Sequence, residues 1–169
     1  TMAKDIQRDA VIAVLAGLLM IFVYIGLRFR NWQFGVGGLI ALAHDALIAM
    51  GAFALLHGIL PFNMEVDQSF IAAILTVIGY SIIATVVIFD RVREYKVIYP
   101  KRSLQEQVNG AINSTLSRTF NSSGSTLVVL LMMFIFGGEV IRGFVFALLV
   151  GVAAGTFSSV CISGPIVFD

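Results

Sequence analysis

A carboxylate in the middle of a long apolar run is the group most open to chemistry in this chain. In FGVGGLIALAHDALIAMGAFALL, Asp45 falls at the centre with His44 beside it. A carboxylate at a bilayer centre costs about 2.5 to 3.5 kcal/mol on insertion scales, so it must face other helices, water or a partner, or be neutral. Burial disfavours the charged form of a carboxyl. Asp45 could therefore carry a proton by cycling between neutral and charged forms, or it could be a hydrogen-bonded group that ties helices together. His44 projects about 100° away on the same helix, which suits packing or a hydrogen bond better than a relay.

A cation stands in STLSRTFNSSGSTLVVLLMMF, where Arg118 precedes Thr119, Asn121, Ser122, Ser123, Ser125 and Thr126. So many polar side chains over two turns suit a wetted or tightly hydrogen-bonded helix face. Arg118 could be the counter-charge of an intramembrane acid, or it could snorkel to the headgroups. A third pattern is the recurrence of Gly143, Ala147, Gly151, Gly155, Ser159 and Ser163 every four residues. Small residues at that interval let helix backbones approach closely, along an intramolecular seam or against a second membrane half. Asp90, Arg91, Arg93 and Glu94 crowd the end of VIGYSIIATVVIFDRVRE. They read as a stop and an anchor at the membrane boundary, with an Asp90–Arg93 pair at i, i+3. The sequence holds no catalytic triad, phosphate-binding glycine loop or clustered metal ligands, so no enzyme activity, metal or bound cofactor is expected.

These residues must be positioned by membrane helices. The chain has 169 residues, 59% hydrophobic and only 12% charged, against about a quarter charged in an ordinary globular domain. Its apolar residues come in blocks of roughly 18 to 25, the length that spans a bilayer core. The predicted class is an all-α integral membrane protein of five spans, at about Ala10–Leu27, Phe34–Leu56, Ser69–Phe89, Arg118–Phe136 and Gly143–Val167, with Gly164-Pro165 able to kink the last. One cysteine, Cys161, leaves no disulfide framework. A net charge of +1 argues against nucleic acid as a partner.

Charge sets an expected orientation. The connector between spans 3 and 4 carries Arg91, Arg93, Lys96, Lys101 and Arg102, and Arg28 and Arg30 follow span 1, whereas the connector between spans 2 and 3 holds Glu65 and Asp67 and no cation. Lys and Arg collect on the cytoplasmic side, so the chain's N-terminus is expected outside and its C-terminus inside. An outside N-terminus leads us to expect a further helix and an extracytoplasmic domain upstream of Thr1, with a natural five-span protein inserted N-terminus out as the alternative. In the cytoplasmic connector, Ser103 and Glu106 have capping-box spacing. Leu104, Val108, Ala111, Ile112 and Leu116 share a face beyond them, which predicts an amphipathic helix over about 103–116 lying on the membrane surface.

Four stretches taken together, ALAHDALI (41–48), VIGYSIIATVVIFDRVRE (77–94), STLSRTFNSSGSTLVVLLMMFIFGG (114–138) and GVAAGTFSSV (151–160), resemble the SecF half of the bacterial SecD/SecF protein-export family, a branch of the resistance-nodulation-division (RND) superfamily. They run over nearly the whole chain in family order and spacing. The resemblance implies an RND-type membrane domain of which this chain supplies the last five of six helices, paired with a homologous SecD half. It also implies use of a proton, or sometimes sodium, gradient to draw exported preproteins out of the SecYEG channel. By position, Asp45 matches the acid of the family's HD pair in the second span, and Arg118 the basic residue opening the fourth.

The chain departs from the family at one place. Relatives typically show GYSxNDTVV where it reads GYSIIATVV, so Ile83 stands in the Asn position and Ala84 in that of the expected ion-carrying Asp. A natural variant with a lost or relocated relay, an engineered change, and a branch coupled only through the SecD half all account for this. The leading expectation is an ion-gradient-coupled accessory subunit of the Sec translocase in the bacterial inner membrane. An RND-type exporter half for small molecules or lipids, and a structural or assembly subunit with a lost relay, are the alternatives.

Overall fold

The computed structural model describes residues 2–30, 32–62 and 64–166. Five long helices account for almost all of them: α1 (Met2–Phe29), α2 (Trp32–Leu56), α3 (Gln68–Ile98), α4 (Leu104–Phe136) and α5 (Glu139–Ser158). A wide π-helical turn, Ser159–Ser163, and a last short helical turn, α6 (Gly164–Ile166), follow. Each of the five long helices is long and apolar enough to cross a membrane, and no strand occurs among the described residues.

The helix ends follow from local chemistry. The Asp67 carboxylate accepts the Phe70 N–H at 2.8 Å to start α3. At α4 the capping box is reciprocal: the Ser103 hydroxyl accepts from the Glu106 N–H at 3.3 Å, and the Ser103 N–H donates to Glu106 Oε2 at 3.1 Å. Pro165 can offer no N–H to a carbonyl one turn back, and the backbone widens into the π turn just before it. The predicted end of the last span at Val167 lies outside the described residues.

Two predicted boundaries need correction. Helix α3 does not stop at Phe89 but continues to Ile98, so Asp90 to Glu94 lie within it. The amphipathic segment is not a separate helix resting on the membrane: α4 is continuous from Leu104 through Arg118 to Phe136. Its apolar face is taken up inside the chain, where Val108, Ala111, Leu104 and Ile112 pack with Ile88, Phe89, Val92 and Tyr95 of α3.

Helix α5 is central, packed against α2, α3 and α4, whereas α1 lies at the edge on α2 and α3. The small-residue stripe explains the close approach. Gly143, Ala147, Gly151, Gly155, Ser159 and Ser163 are all buried. A Cβ on Gly151 would overlap the Val77 methyls, and one on Gly155 would come within 3.1 Å of Ser81 Cβ. The stripe therefore forms an intramolecular seam on α3, parallel in direction, since four residues along α5 match four along α3. One apolar cluster gathers around Phe53, Phe70, Ile74, Val77 and Leu148. A second, toward the basic end, holds Ile25, Phe29, Phe34, Phe89 and Val92. Along α3, buried Ser81 and Thr85 separate Ile78 of the first from Ile88 of the second.

Candidate functional site

Asp45 sits in this polar layer with no exposed surface. Its Oδ2 accepts the Ser81 hydroxyl from α3 at 2.5 Å and the Ser158 hydroxyl from the end of α5 at 2.8 Å. Its Oδ1 lies 3.1 Å from His44 Nδ1. The glycine of the stripe makes room, because a Cβ on Gly155 would stand 3.4 Å from Asp45 Oδ2 as well as against Ser81. Three hydrogen-bond partners from three points of the bundle thus fix one carboxyl group.

Sequence reasoning allows His44 a hydrogen bond without giving its partner, and it misses Ser158. His44 and Asp45 are adjacent on α2, and their Cα–Cβ directions diverge, yet the imidazole bends back far enough to meet the carboxylate. Ser158 sits one position before Ser159 of the stripe, where the repeat draws the eye away from it. Ser81 had a signal, as the polar residue of GYS in an apolar helix. One turn further along α3, Thr85 is fully buried, and its Oγ1 has no hydrogen-bond partner among the described residues.

Arg118 is not brought to Asp45. It is exposed on α4 and borders a small cavity of about 90 Å³ between α3 and α4, shared with Tyr80, Ile83, Ala84, Ser122 and Ser123. Ile83 is exposed and Ala84 half-buried. Arg118 also borders a wider groove with Asp90 and Glu94, but forms no ion pair among the described residues. Tyr80 reaches toward the α4 hydroxyls, its OH 3.4 Å from both Ser123 Oγ and Thr126 Oγ1.

The charge cluster pairs differently from its i, i+3 expectation. Asp90 meets Arg28 of α1 at 3.2 Å, not Arg93. Arg91 pairs with Glu94 at 2.6 Å and donates to Ser114 Oγ of α4 at 2.9 Å, with its guanidinium over the Tyr95 ring. Arg93 and Glu94 are exposed. The cluster clamps α1, α3 and α4 together beyond the apolar core. Among the described residues no group of His, Cys, Asp and Glu could hold a metal ion.

Helices of this length around a sealed, hydroxyl-held carboxyl define a multi-pass helical membrane protein. All 169 residues match the family described as protein export membrane protein SecD/SecF, C-terminal, and the chain belongs to that family. It is 53% identical over 167 residues to protein translocase subunit SecF of Rhodothermus marinus, covering 99% of this chain and 54% of that protein. It is 47% identical over 163 residues to protein translocase subunit SecF of Cereibacter sphaeroides, covering 96% and 48%. The chain thus spans about half the length of the curated relatives it matches. The crystal structure of SecDF from Thermus thermophilus, described as a translocon-associated membrane protein, superposes with a TM-score of 0.84 at 42% identity, covering 95% of this chain and 21% of that one. A crystal structure of SecDF in a super-membrane-facing form gives 0.84 at 41% identity, covering 96% and 21%. The helical bundle therefore shares its fold with a part of those SecDF chains.

Proposed function

We propose that this chain is the membrane part of an accessory subunit of the Sec translocase, which couples an ion gradient to late-stage protein export across the bacterial inner membrane. The ion is a proton, with sodium as the alternative, and it is cargo of the cycle, not a bound cofactor. The partners are a SecD half, the SecYEG channel and exported preproteins, in surrounding lipid. The basic end of the bundle faces the cytoplasm and the acidic connector faces outward. No covalent chemistry is assigned to the chain.

The observation that carries this reading is the buried Asp45 carboxyl held by helices α3 and α5, in a chain of a protein-export family. A carboxyl in such a layer changes charge when it gains or loses a proton, and that change is felt on both helices through Ser81 and Ser158. One charge crossing 100 mV is worth about 2.3 kcal/mol, enough to bias a segment's movement when repeated. With Ile83 and Ala84 in place of polar residues beside Arg118, the counter-charge for Arg118 comes from the SecD half. A structural reading of Asp45 draws on the same hydrogen bonds and differs in one consequence: export would not depend on the acid.

Gradient-dependent completion of precursor export in vesicles, with the intact parent complex carrying Asp45→Asn, separates the two. Loss of the gradient-dependent component with the complex assembled is the expected result. Unchanged export would make Asp45 structural and move the ion path to the SecD side.

A further inference from the structure

We propose that His44 is the residue through which Asp45 exchanges its proton, an inference that rests on the relay reading of Asp45. Asp45 is wholly enclosed. Oδ2 is occupied by the Ser81 and Ser158 hydroxyls, and Oδ1 meets the imidazole. Helices α3 and α5 thus present hydroxyls to the carboxyl, and His44 is the one titratable group that hydrogen-bonds or ion-pairs with it among the described residues. A Ser hydroxyl donates a hydrogen bond but does not hold an extra proton near neutral pH, whereas an imidazole does so readily.

His44 also reaches the surface of this chain. About 33% of its side chain remains exposed while Asp45 shows 0%, and the next residues outward on α2, Leu47 and Ile48, are exposed as well. The imidazole therefore touches both the sealed carboxyl and the outer face of α2. Its two nitrogens lie on different sides of the ring, so a proton taken up at Nε2 can be matched by one released from Nδ1. In the transfer step the Nδ1–H bond of the imidazolium breaks and an Oδ1–H bond forms. The ring becomes neutral and the carboxylate becomes a carboxylic acid, and release of the proton runs the same step backwards. Ser81 and Ser158 hold the carboxyl so that Oδ1 stays on the His44 side.

The test uses the intact parent complex with His44→Gln, which keeps a hydrogen-bond donor but loses the proton-accepting ring. Deuterium exchange of the Asp45 carboxyl is followed by its infrared C=O stretch, assigned by difference against Asp45→Asn. The expected result is an assembled complex with an unchanged melting temperature, exchange slowed about a hundredfold, and a matching fall in the gradient-driven part of export. If His44→Gln does not assemble, His44→Asn, whose amide nitrogen falls near the Nδ1 position, serves in its place. Exchange at the parent's rate would overturn the proposal, as would absence of an Asp45-dependent carboxyl band at every pH. Normal export in Asp45→Asn together with slowed exchange in His44→Gln would overturn the relay reading while leaving the His44–Asp45 couple standing.

Discussion

Ser81 and Ser158 reach one carboxylate oxygen from helices 77 residues apart in the chain, so each hydroxyl is worth more than a surface hydrogen bond. Removing one leaves a buried acid short of a donor, at about 1–3 kcal/mol. Ser81→Ala and Ser158→Ala should each lower the melting temperature in detergent, and the double variant should fall short of the summed losses, since both act on Oδ2. Thr85 should behave in the opposite sense. Its buried Oγ1 has no partner among the described residues, so Thr85→Val, nearly equal in shape, should leave stability unchanged or raise it by about 1 kcal/mol. A clear loss in Thr85→Val would mean that this hydroxyl is satisfied in the membrane. The sequence marks Asp45 plainly, because a carboxylate within an apolar span stands out. It does not mark Ser158, whose role depends on how α5 lies on α3, nor the His44 contact, which depends on a side-chain rotamer that a helical wheel leaves out.

Helix α5 works as a spacer whose small residues set its distance from α3. Gly151 lies against Val77 so closely that an added Cβ overlaps the Val77 methyls. Gly151→Ala should therefore cost about 1–3 kcal/mol as overpacking. Val77→Ala in the same chain should recover part of that loss, and failure of this rescue in paired melting curves would place the strain elsewhere. The four-residue repeat made this seam legible, because close approach of membrane helices leaves its mark in residue size. The lengths of α3 and α4 were not legible in the same way. Hydropathy reports which residues prefer lipid, whereas helix continuation reports backbone hydrogen bonding and side-chain support. Beyond the apolar stretch that support comes from Arg28–Asp90, Arg91–Glu94, and the Leu104, Val108 and Ala111 face on Val92 and Tyr95.

The whole bundle is polarised along its long axis. One end gathers Arg28, Arg30, Arg91, Arg93, Lys96, Lys101 and Arg102, while the other carries Asp5, Asp9, Glu65, Asp67 and Glu139 against Lys4, Arg8 and Arg142. Five spans and this asymmetry were both readable from composition along the chain, since each depends on transfer energies and not on packing. Which helix would lie at the centre was not, and the structure gives that place to α5, with α1 at the edge exposing Leu15, Leu19, Met20 and Leu27. The asymmetry predicts the basic end in the cytoplasm, and on the proposed relay an inward-moving proton would then approach Asp45 from the acidic end. In the intact parent protein, with every native cysteine, Cys161 among them, changed to serine, Val66→Cys should react with a membrane-impermeant maleimide added to whole spheroplasts. Lys101→Cys should react only after the membrane is opened. The reverse pattern would turn the bundle over, and the gradient would then drive protons toward Asp45 from the end where the helices α1, α3 and α4 are clamped together.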